Sequence, residues 1–202
     1  KALARHDLPR TPEAAAQVAD LVARALNAPL PGTATLARLP ATRRVAEMEF
    51  HFRLGATRMQ ALHALLAAHG YAHATTPSRG GIEGLMHGYI DLLYRDDDGA
   101  HWVLDYKTNR LADYAPASCA RAVADSDYDL QYLIYLVAVQ RWLRLRLGAA
   151  YDPARHLGGA VYLFLRGIAP RGGDAQGNGI HRDRPPQALV DGLDALFDGG
   201  AA

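Results

Sequence analysis

The sequence predicts a single α/β domain. Its 202 residues suit one domain, and 50% of them are hydrophobic, which is enough for a sizeable core. Segments with helical periodicity lie toward both ends, while strand-like segments are grouped near the middle of the chain. Helices mixed with a central group of strands are typical of the α/β class.

A helix, a strand and a second helix are predicted in the first seventy residues. Thr11 is suited to cap a helix that has Pro12 in its first turn. The run 44–54 alternates as a half-buried strand does, and a helix is predicted from 57 to 69 with Gly70 at its end. The first helix has an apolar stripe of Val18, Leu21, Val22, Ala25 and Leu26. The alternation of the strand places Ala46, Met48, Phe50, Phe52 and Leu54 on one face.

A β-hairpin is predicted in the middle of the chain. Its two strand-like runs are 88–94 and 101–107, and the turn-forming sequence Asp96-Asp-Asp-Gly99 separates them. Residues 72–81 are expected to form the loop that leads into it.

The second half of the chain is dominated by one long helix, predicted at 127–147. Ser126 or Asp127 can cap this helix, and Gly148 ends it. The run 159–165 is almost continuously apolar, which predicts a strand buried on both faces. A short helix in the second half of 109–125, a glycine-rich loop at 169–179 and a last helix at 187–197 complete the prediction.

Charge and cysteine content exclude several classes of function. The formal charge is +1, so any contact with nucleic acid must come from local clusters rather than from a basic coat. Cys119 is the only cysteine, which excludes an internal disulfide and a cysteine-based zinc site and fits the reducing cytoplasm. No apolar run reaches the length of a transmembrane helix, so a membrane partner is not expected.

Asp105 and Lys107 are the strongest functional candidates. Alternation along a strand places both on one face and Tyr106 on the other. If the two runs pair as a hairpin, Asp91 comes beside them. Two carboxylates and one ammonium group suit Mg²⁺, with the Tyr106 carbonyl as a further ligand. Lys107 can then orient the attacking water or stabilise charge in the transition state.

An alternative interpretation stays open for these residues. Asp91 and Asp105 can be ordinary charges at strand ends, with Lys107 as a surface residue. An Asp-x-Lys pattern by itself is weak support for a metal site, but the poor fit of aspartate inside strands favours a function. Glu47 and Glu49 lie on the polar face of the earlier strand and are candidates for an outer carboxylate.

Gln131 and Tyr135 are one helical turn apart and therefore share a face of the long helix. That face can lie along the strand ends and hold Lys107 or touch a substrate. The alternative is that Gln131 is a solvated polar position and Tyr135 belongs to the core.

Five stretches of the sequence form a recognisable set. They are Val45-Ala-Glu-Met-Glu-Phe50, Gly88-Tyr-Ile-Asp91, Leu104-Asp-Tyr-Lys-Thr-Asn109, Tyr128-Asp-Leu-Gln-Tyr132 with Tyr135, and Gly158-Gly-Ala-Val-Tyr-Leu-Phe-Leu-Arg-Gly167. Together they resemble the C-terminal nuclease domains of the RecB family, which belongs to the wider PD-(D/E)xK superfamily. RecB is a subunit of the bacterial RecBCD helicase–nuclease. The similarity extends from about Val18 to Phe197.

The resemblance implies a fold and a set of site residues. The fold is a restriction-endonuclease-like core, in which helices flank a central mixed sheet. Asp91 and Asp105 are implied to hold Mg²⁺, and Lys107 to serve the attacking water. Gln131 and Tyr135 are implied to form the helix motif beside the site.

One feature of the family has no counterpart in this sequence. The resemblance implies a metal-ligand histidine in an upstream helix, but no matching motif is present. His6 lies in a loop-like context, and His87 can approach the metal because it faces the same way as Asp91. The simplest expectation is that Lys1 follows the missing histidine. Residues 1–202 would then be a single nuclease domain from the C-terminal part of a larger subunit, weakly active by itself.

DNA and other protein subunits are the partners that the resemblance implies. The domain would cut single strands that a helicase part of the same chain, with RecC-like and RecD-like subunits, delivers from a duplex end during double-strand-break repair. Arg110 and Arg79 are the leading candidates for contacts to DNA, beside Arg43 and Arg44; a solvated loop charge is the alternative for Arg110. Two other functions stay open: a module that docks RecA for loading onto the single strand, and a nuclease-like domain without activity.

Overall fold

A five-stranded sheet runs through the middle of the computed structural model, which describes residues 11–71, 80–169 and 177–199. The predicted α/β class is confirmed. The strands are β1 (Pro29–Leu30), β2 (Thr33–Thr35), β3 (Arg44–Arg58), β4 (Gly81–Arg95), β5 (His101–Lys107), β6 (Leu157–Phe164) and β7 (Ile180–Asp183). The α-helices are α1 (Pro12–Asn27), α2 (Met59–Ala68), α3 (Pro116–Asp125), α4 (Tyr128–Leu147), α5 (Pro153–His156) and α6 (Gln187–Phe197).

The sheet has the order β3-β4-β5-β6-β7 and is mixed. Only β5 and β6 run parallel; the other neighbours are antiparallel. A parallel pair requires a crossover, and the chain makes it through α3 and α4. The crossover therefore brings the long helix α4 across the sheet, over β5 and β6.

Strands β3 and β4 are longer than the alternation pattern predicted. Both have 15 residues, and their pairing continues as far as Arg58 opposite Gly81. Thr57 was predicted to begin a helix but lies in β3, because it pairs with Ile82 of β4. Its buried hydroxyl lies 3.0 Å from the Gly55 carbonyl and 3.1 Å from the Leu196 carbonyl. The helix α2 consequently starts two residues later, at Met59.

Strand β7 was missed in the sequence. It has four residues, pairs only with β6 and forms one edge of the sheet. So short a segment contains no period that distinguishes it from a loop. The small hairpin of β1 and β2 was missed for the same reason.

Apolar side chains pack on both faces of the sheet. One core lies between the sheet and helices α2, α3, α4 and α6. The second core lies on the opposite face and is covered by the segment between α1 and β3. That segment contributes Ala28, Leu30, Leu36 and Leu39. Among the described residues, no helix is both long and apolar enough to cross a membrane.

Glu47 interrupts the regular alternation of β3. Its φ of 50° is in the left-handed region, and the register pairs on either side place it opposite Asp91. On β4, Ile90 belongs to the helix-side core, whereas Leu92, two residues later, belongs to the opposite core. The strand therefore changes face at Asp91. Ala46 was predicted to share the inward face of β3 with Met48 and Phe50, but it is exposed. The predicted alternation of β3 is therefore wrong for the residues before Met48.

The predicted turn between β4 and β5 is present and is organised by Asp96. This carboxylate is buried, and one of its oxygens accepts hydrogen bonds from the backbone N–H groups of Asp98 at 3.0 Å and Ala100 at 2.8 Å. The other oxygen accepts from the Trp102 indole at 2.9 Å. The turn therefore holds the hairpin in the register that aligns Asp91 with β5.

We expect Asp96→Ala to lower the free energy of unfolding by about 3 kcal/mol, because the substitution leaves buried donors without their charged acceptor. Denaturant titration measures this loss. Asp98→Ala is the matched control, since Asp98 is exposed in the same turn. Equal losses in the two variants would show that Asp96 does not organise the hairpin.

Candidate active site

Asp105 and Lys107 lie side by side near the carboxyl end of β5. As predicted from alternation, both point toward the helices while Tyr106 points the other way and is exposed. The Lys107 Nζ is 2.9 Å from Asp105 Oδ2, and the two side chains are only 10% and 8% exposed. This ion pair is therefore shielded from most of the solvent.

Asp91 reaches the same place from β4. It lies one position beyond the last register pair of β4 and β5, Leu92 with Leu104. Its Oδ2 accepts a hydrogen bond from the Tyr106 N–H at 3.0 Å. The structure thus brings Asp91, Asp105 and Lys107 together.

The backbone of Tyr106 adds an oxygen to this group. The Lys107 carbonyl accepts from the Leu165 N–H at 2.9 Å, so it points toward β6. Carbonyls of successive residues point to opposite sides of a strand. The Tyr106 carbonyl is therefore directed toward β4, the side on which Asp91 lies.

The electrostatics of Asp105 favour a nearby positive charge. Burial raises the pKa of the Asp105 carboxyl above its ordinary value, and the negative charge of Asp91 raises this pKa further. The hydrogen bond and the charge of Lys107 lower it. Two acids and one ammonium group leave an excess of negative charge, which a divalent cation would balance.

Helix α4 supplies the polar groups that face this cluster. Lys107 donates to the Gln131 Oε1 at 2.9 Å, and the Gln131 Nε2 donates to the Tyr135 hydroxyl at 2.9 Å. Burial raises the pKa of Tyr135 to about 12, with contributions from the charges of Asp105 and Asp91. Gln131 is thus part of the cluster, and the hydroxyl of Tyr135 keeps its proton at neutral pH.

Tyr135 is also supported from β3. Its ring meets that of Phe50 edge to face, with ring centroids 5.7 Å apart. Phe50 in turn packs over Gly88, where an added Cβ would lie 2.8 Å from the Phe50 ring. A side chain at Gly88 would therefore displace the aromatic support of the helix motif.

Two tyrosines at the site were not predicted. The Lys107 Nζ lies 3.8 Å from the ring centroid of Tyr128 and 4.7 Å from that of Tyr162. Tyr162 is fully buried in β6 opposite Asp105, and its hydroxyl lies 2.9 Å from the Gln131 Oε1. Tyr128 is three residues before Gln131, a spacing that could have indicated a shared face. No local signal marks Tyr162, because it lies within an apolar strand.

The outer acids and histidines do not join the cluster in the described part of the chain. The His87 Nε2 is 2.9 Å from the Glu49 Oε1, and both side chains are about half exposed. Glu47 is exposed opposite Asp91. Among the described residues, no group of three or more His, Cys, Asp or Glu side chains could hold a metal ion. His6 lies outside these residues.

The candidate DNA contacts differ in their surroundings. Arg110 is exposed just after β5, and Arg44 is exposed at the start of β3. Arg43 is engaged with Asp97, with 2.5 Å between the Arg43 Nη1 and the Asp97 Oδ1. Arg79 lies outside the described residues. Arg110 therefore stays a candidate, and Arg43 is already paired.

The mixed sheet carries Asp91, Asp105 and Lys107 grouped at the end of β5. This arrangement is typical of nucleases that hydrolyse phosphodiester bonds. The model of the PD-(D/E)XK nuclease superfamily matches residues 1–197, and the chain belongs to this superfamily.

Curated relatives narrow this assignment to RecB-like nuclease domains. The chain is 35% identical over 182 residues to the RecBCD enzyme subunit RecB of Escherichia coli, covering 86% of this chain and 15% of the relative. Identity to RecB of Haemophilus influenzae is 37% over 143 residues, covering 69% of this chain and 11% of the relative. Identity to RecB of Mycobacterium tuberculosis is 40% over 126 residues, covering 59% of this chain and 11% of the relative. The chain thus spans only a small part of these relatives.

We expect Lys107→Met to lower stability in a pH-dependent way. The folded protein binds the Asp105 proton more tightly than the unfolded chain does, so ionisation of this carboxyl costs stability as the pH rises above about 4, the ordinary aspartate pKa. Without the ammonium group, the pKa of Asp105 rises further and this cost grows. Denaturant titration should show a loss of about 3 kcal/mol at pH 8 and a much smaller loss at pH 4.

Arg110→Met is the control for this experiment, because it removes an exposed positive charge just past β5. Its stability should differ little from that of the unsubstituted protein at either pH. A Lys107→Met loss that is the same at pH 4 and pH 8 would contradict a buried ion pair.

Proposed function

We propose that this chain is a Mg²⁺-dependent DNA nuclease domain that hydrolyses phosphodiester bonds in single strands. The observation that carries the proposal is the grouping of Asp91, Asp105 and Lys107 at the end of β5. Membership of the PD-(D/E)XK superfamily supports the reaction class. The choice of Mg²⁺ rests on the oxygen-only donor set, since Mg²⁺ prefers carboxylates and carbonyls and retains several waters.

The proposed metal ligands are the carboxylates of Asp91 and Asp105 and the carbonyl of Tyr106. A divalent ion supplies Lewis acidity toward a phosphate oxygen and lowers the pKa of a water ligand. The donor set fits such an ion, because burial and, to a lesser extent, the charge of Asp91 raise the pKa of Asp105, and a cation would favour the ionised carboxylate. No motif that matches the metal-ligand histidine implied by the resemblance is present in residues 1–202.

Lys107 is proposed to act on the attacking water and the phosphate, with support from the helix motif of Gln131 and Tyr135. The ammonium group of Lys107 can orient the attacking water or stabilise the negative charge that develops on the phosphate. The Gln131 oxygen holds this ammonium group, and Tyr135 holds the amide of Gln131. The motif therefore keeps Lys107 in place beside the acids.

The relatives suggest the setting in which the domain works. These relatives are named as a subunit of the RecBCD enzyme. We propose that residues 1–202 form one nuclease domain of a longer subunit of this kind, with RecC-like and RecD-like partners and the DNA strands of a duplex end as substrate. Arg110 is the proposed contact to the DNA backbone near the site.

We expect Asp105→Ala to abolish cutting of single-stranded DNA in Mg²⁺, a loss of at least about a thousandfold, because the substitution removes a proposed metal ligand and the partner of Lys107. Release of labelled nucleotides measures the rate. Asp125→Ala is the matched control, since Asp125 is an exposed carboxylate at the end of α3. Cutting by Asp105→Ala at the normal rate would show that the assigned site is wrong.

The same assay should be run on the chain alone and on a version extended at its amino end. Activity only in the extended version would show that residues beyond this sequence are needed for cutting. Mg²⁺-dependent cutting by neither version would show that the fold is a nuclease-like domain without activity.

We expect Mg²⁺ to raise the melting temperature of the protein, because an ion that binds only the folded state stabilises it. The rise should disappear in Asp91→Asn, which keeps the shape of the side chain but removes its charge. Thermal unfolding at increasing Mg²⁺ concentrations measures the effect, with Asp125→Asn as the control. An unchanged rise in Asp91→Asn would place the bound ion elsewhere.

A second candidate function is protein docking, which one observation favours. The apolar side of α1 is exposed at Val18, Val22 and Leu26, and no residue of this helix is buried. The resemblance implies RecA as the partner. Docking needs no catalysis, so Asp105→Ala should leave it intact while cutting is lost.

A further inference from the structure

Tyr162 occupies a central place at the site, although the Asp-Asp-Lys pattern and the helix motif do not include it. It lies in β6, directly opposite Asp105 on the parallel strand β5, and it has no exposed surface. Its ring meets those of Tyr128 and Tyr132 edge to face, with centroid distances of 5.7 Å and 5.8 Å. Tyr162 is therefore packed between the sheet on one side and α4 on the other.

The hydroxyl of Tyr162 shares an acceptor with Lys107. It lies 2.9 Å from the Gln131 Oε1, and the Lys107 Nζ lies 2.9 Å from the same oxygen. The Tyr128 carbonyl is 2.8 Å away, so the single hydroxyl proton is shared between two acceptors. Burial raises the pKa of Tyr162, and the charge of Asp105 raises it further, so the hydroxyl remains a donor.

Two donors on one oxygen determine which end of the Gln131 amide faces the lysine. An amide has an acceptor end and a donor end that differ little in shape. With its oxygen toward Lys107 and Tyr162, Gln131 satisfies both donors, and its nitrogen donates to Tyr135. In the reverse orientation, its NH₂ group would meet the ammonium group of Lys107. The Tyr162 hydroxyl therefore adds to the preference for the productive orientation.

The ring of Tyr162 also limits where the ammonium group can lie. Together with Tyr128, it presents an aromatic face to the Lys107 Nζ, at 4.7 Å and 3.8 Å respectively. Aromatic faces attract cations without forming directional hydrogen bonds. The ammonium group is thus held between two rings, the Gln131 oxygen and the Asp105 carboxylate.

We propose that Tyr162 is a positioning residue that acts on Lys107 through Gln131. Its hydroxyl orients the Gln131 amide, and its ring, with that of Tyr128, confines the ammonium group beside Asp105. The effect on cutting rests on the proposed nuclease function, whereas the effect on the place and accessibility of Lys107 does not.

Kinetics on single-stranded DNA provide the first test. Tyr162→Phe keeps the ring and removes the hydroxyl, so kcat should fall roughly tenfold while KM for DNA stays within about twofold. Tyr94→Phe is the matched control: Tyr94 is equally buried, its hydroxyl contacts the Pro31 carbonyl at 3.3 Å, and it packs in the core on the other face of the sheet. Equal kcat values in the two variants would overturn the proposal.

A double-mutant cycle with Gln131→Ala tests whether Tyr162 acts through the amide. If it does, Tyr162→Phe should cause little further loss of kcat once Gln131 is absent. A full, additive loss in the double variant would show that Tyr162 does not act through Gln131. Asp105→Ala in the same assay tests the nuclease site itself, so failure of the site and failure of this proposal are distinguishable.

Amine labelling tests the place of Lys107 without any need for turnover. The sequence contains only two lysines, Lys1 and Lys107, so mass spectrometry can follow each of them after brief acetylation. The acetylation rate of Lys107, divided by that of Lys1, should rise at least about threefold in Tyr162→Phe. It should rise further in Tyr162→Leu, because that substitution also removes the aromatic ring. Tyr94→Phe should leave the ratio unchanged. An unchanged ratio in Tyr162→Phe and Tyr162→Leu would overturn the proposal even if their activities fell.

Discussion

Asp105 and Lys107 form a salt bridge of 2.9 Å between two side chains that are almost fully shielded from solvent. Each needs the other, because an isolated buried charge is costly. The pair must also satisfy the remaining hydrogen-bonding capacity of the ammonium group, and Gln131 on α4 does so. The geometry of the site therefore depends on how α4 packs across β5 and β6, and not on the strand alone.

The position of Asp91 depends on an irregularity of the sheet. In a regular strand, residues two apart share a face. Ile90 and Leu92 instead belong to opposite cores, and the change occurs where Glu47 adopts a left-handed backbone conformation. This irregularity sets Asp91 beside the end of β5, where its carboxylate accepts from the Tyr106 N–H. A local departure from the strand pattern thus contributes to the acid pair.

Helix α4 is held on two sides. Toward the site it presents Gln131 and Tyr135; near its other end, Arg141 binds Asp194 of α6, with 2.5 Å between the Arg141 Nε and the Asp194 Oδ1. Arg144 pairs with the same carboxylate, which is only 8% exposed. These contacts anchor the helix on α6, so the polar groups at its beginning are supported by a contact that is distant from the chemistry.

The sequence by itself determined the α/β class, the main helices and the hairpin that carries Asp91, Asp105 and Lys107. These predictions succeeded because alternation, helical spacing and turn residues are local properties of the chain. Local patterns did not reveal β7, the added length of β3 and β4, or the change of face at Asp91, because these features depend on pairing between segments that are distant in sequence. The same holds for Tyr162. Its apolar strand predicts only burial, and it meets Lys107 and Gln131 because the parallel pairing of β5 with β6 and the crossover through α4 bring three separate segments to one point.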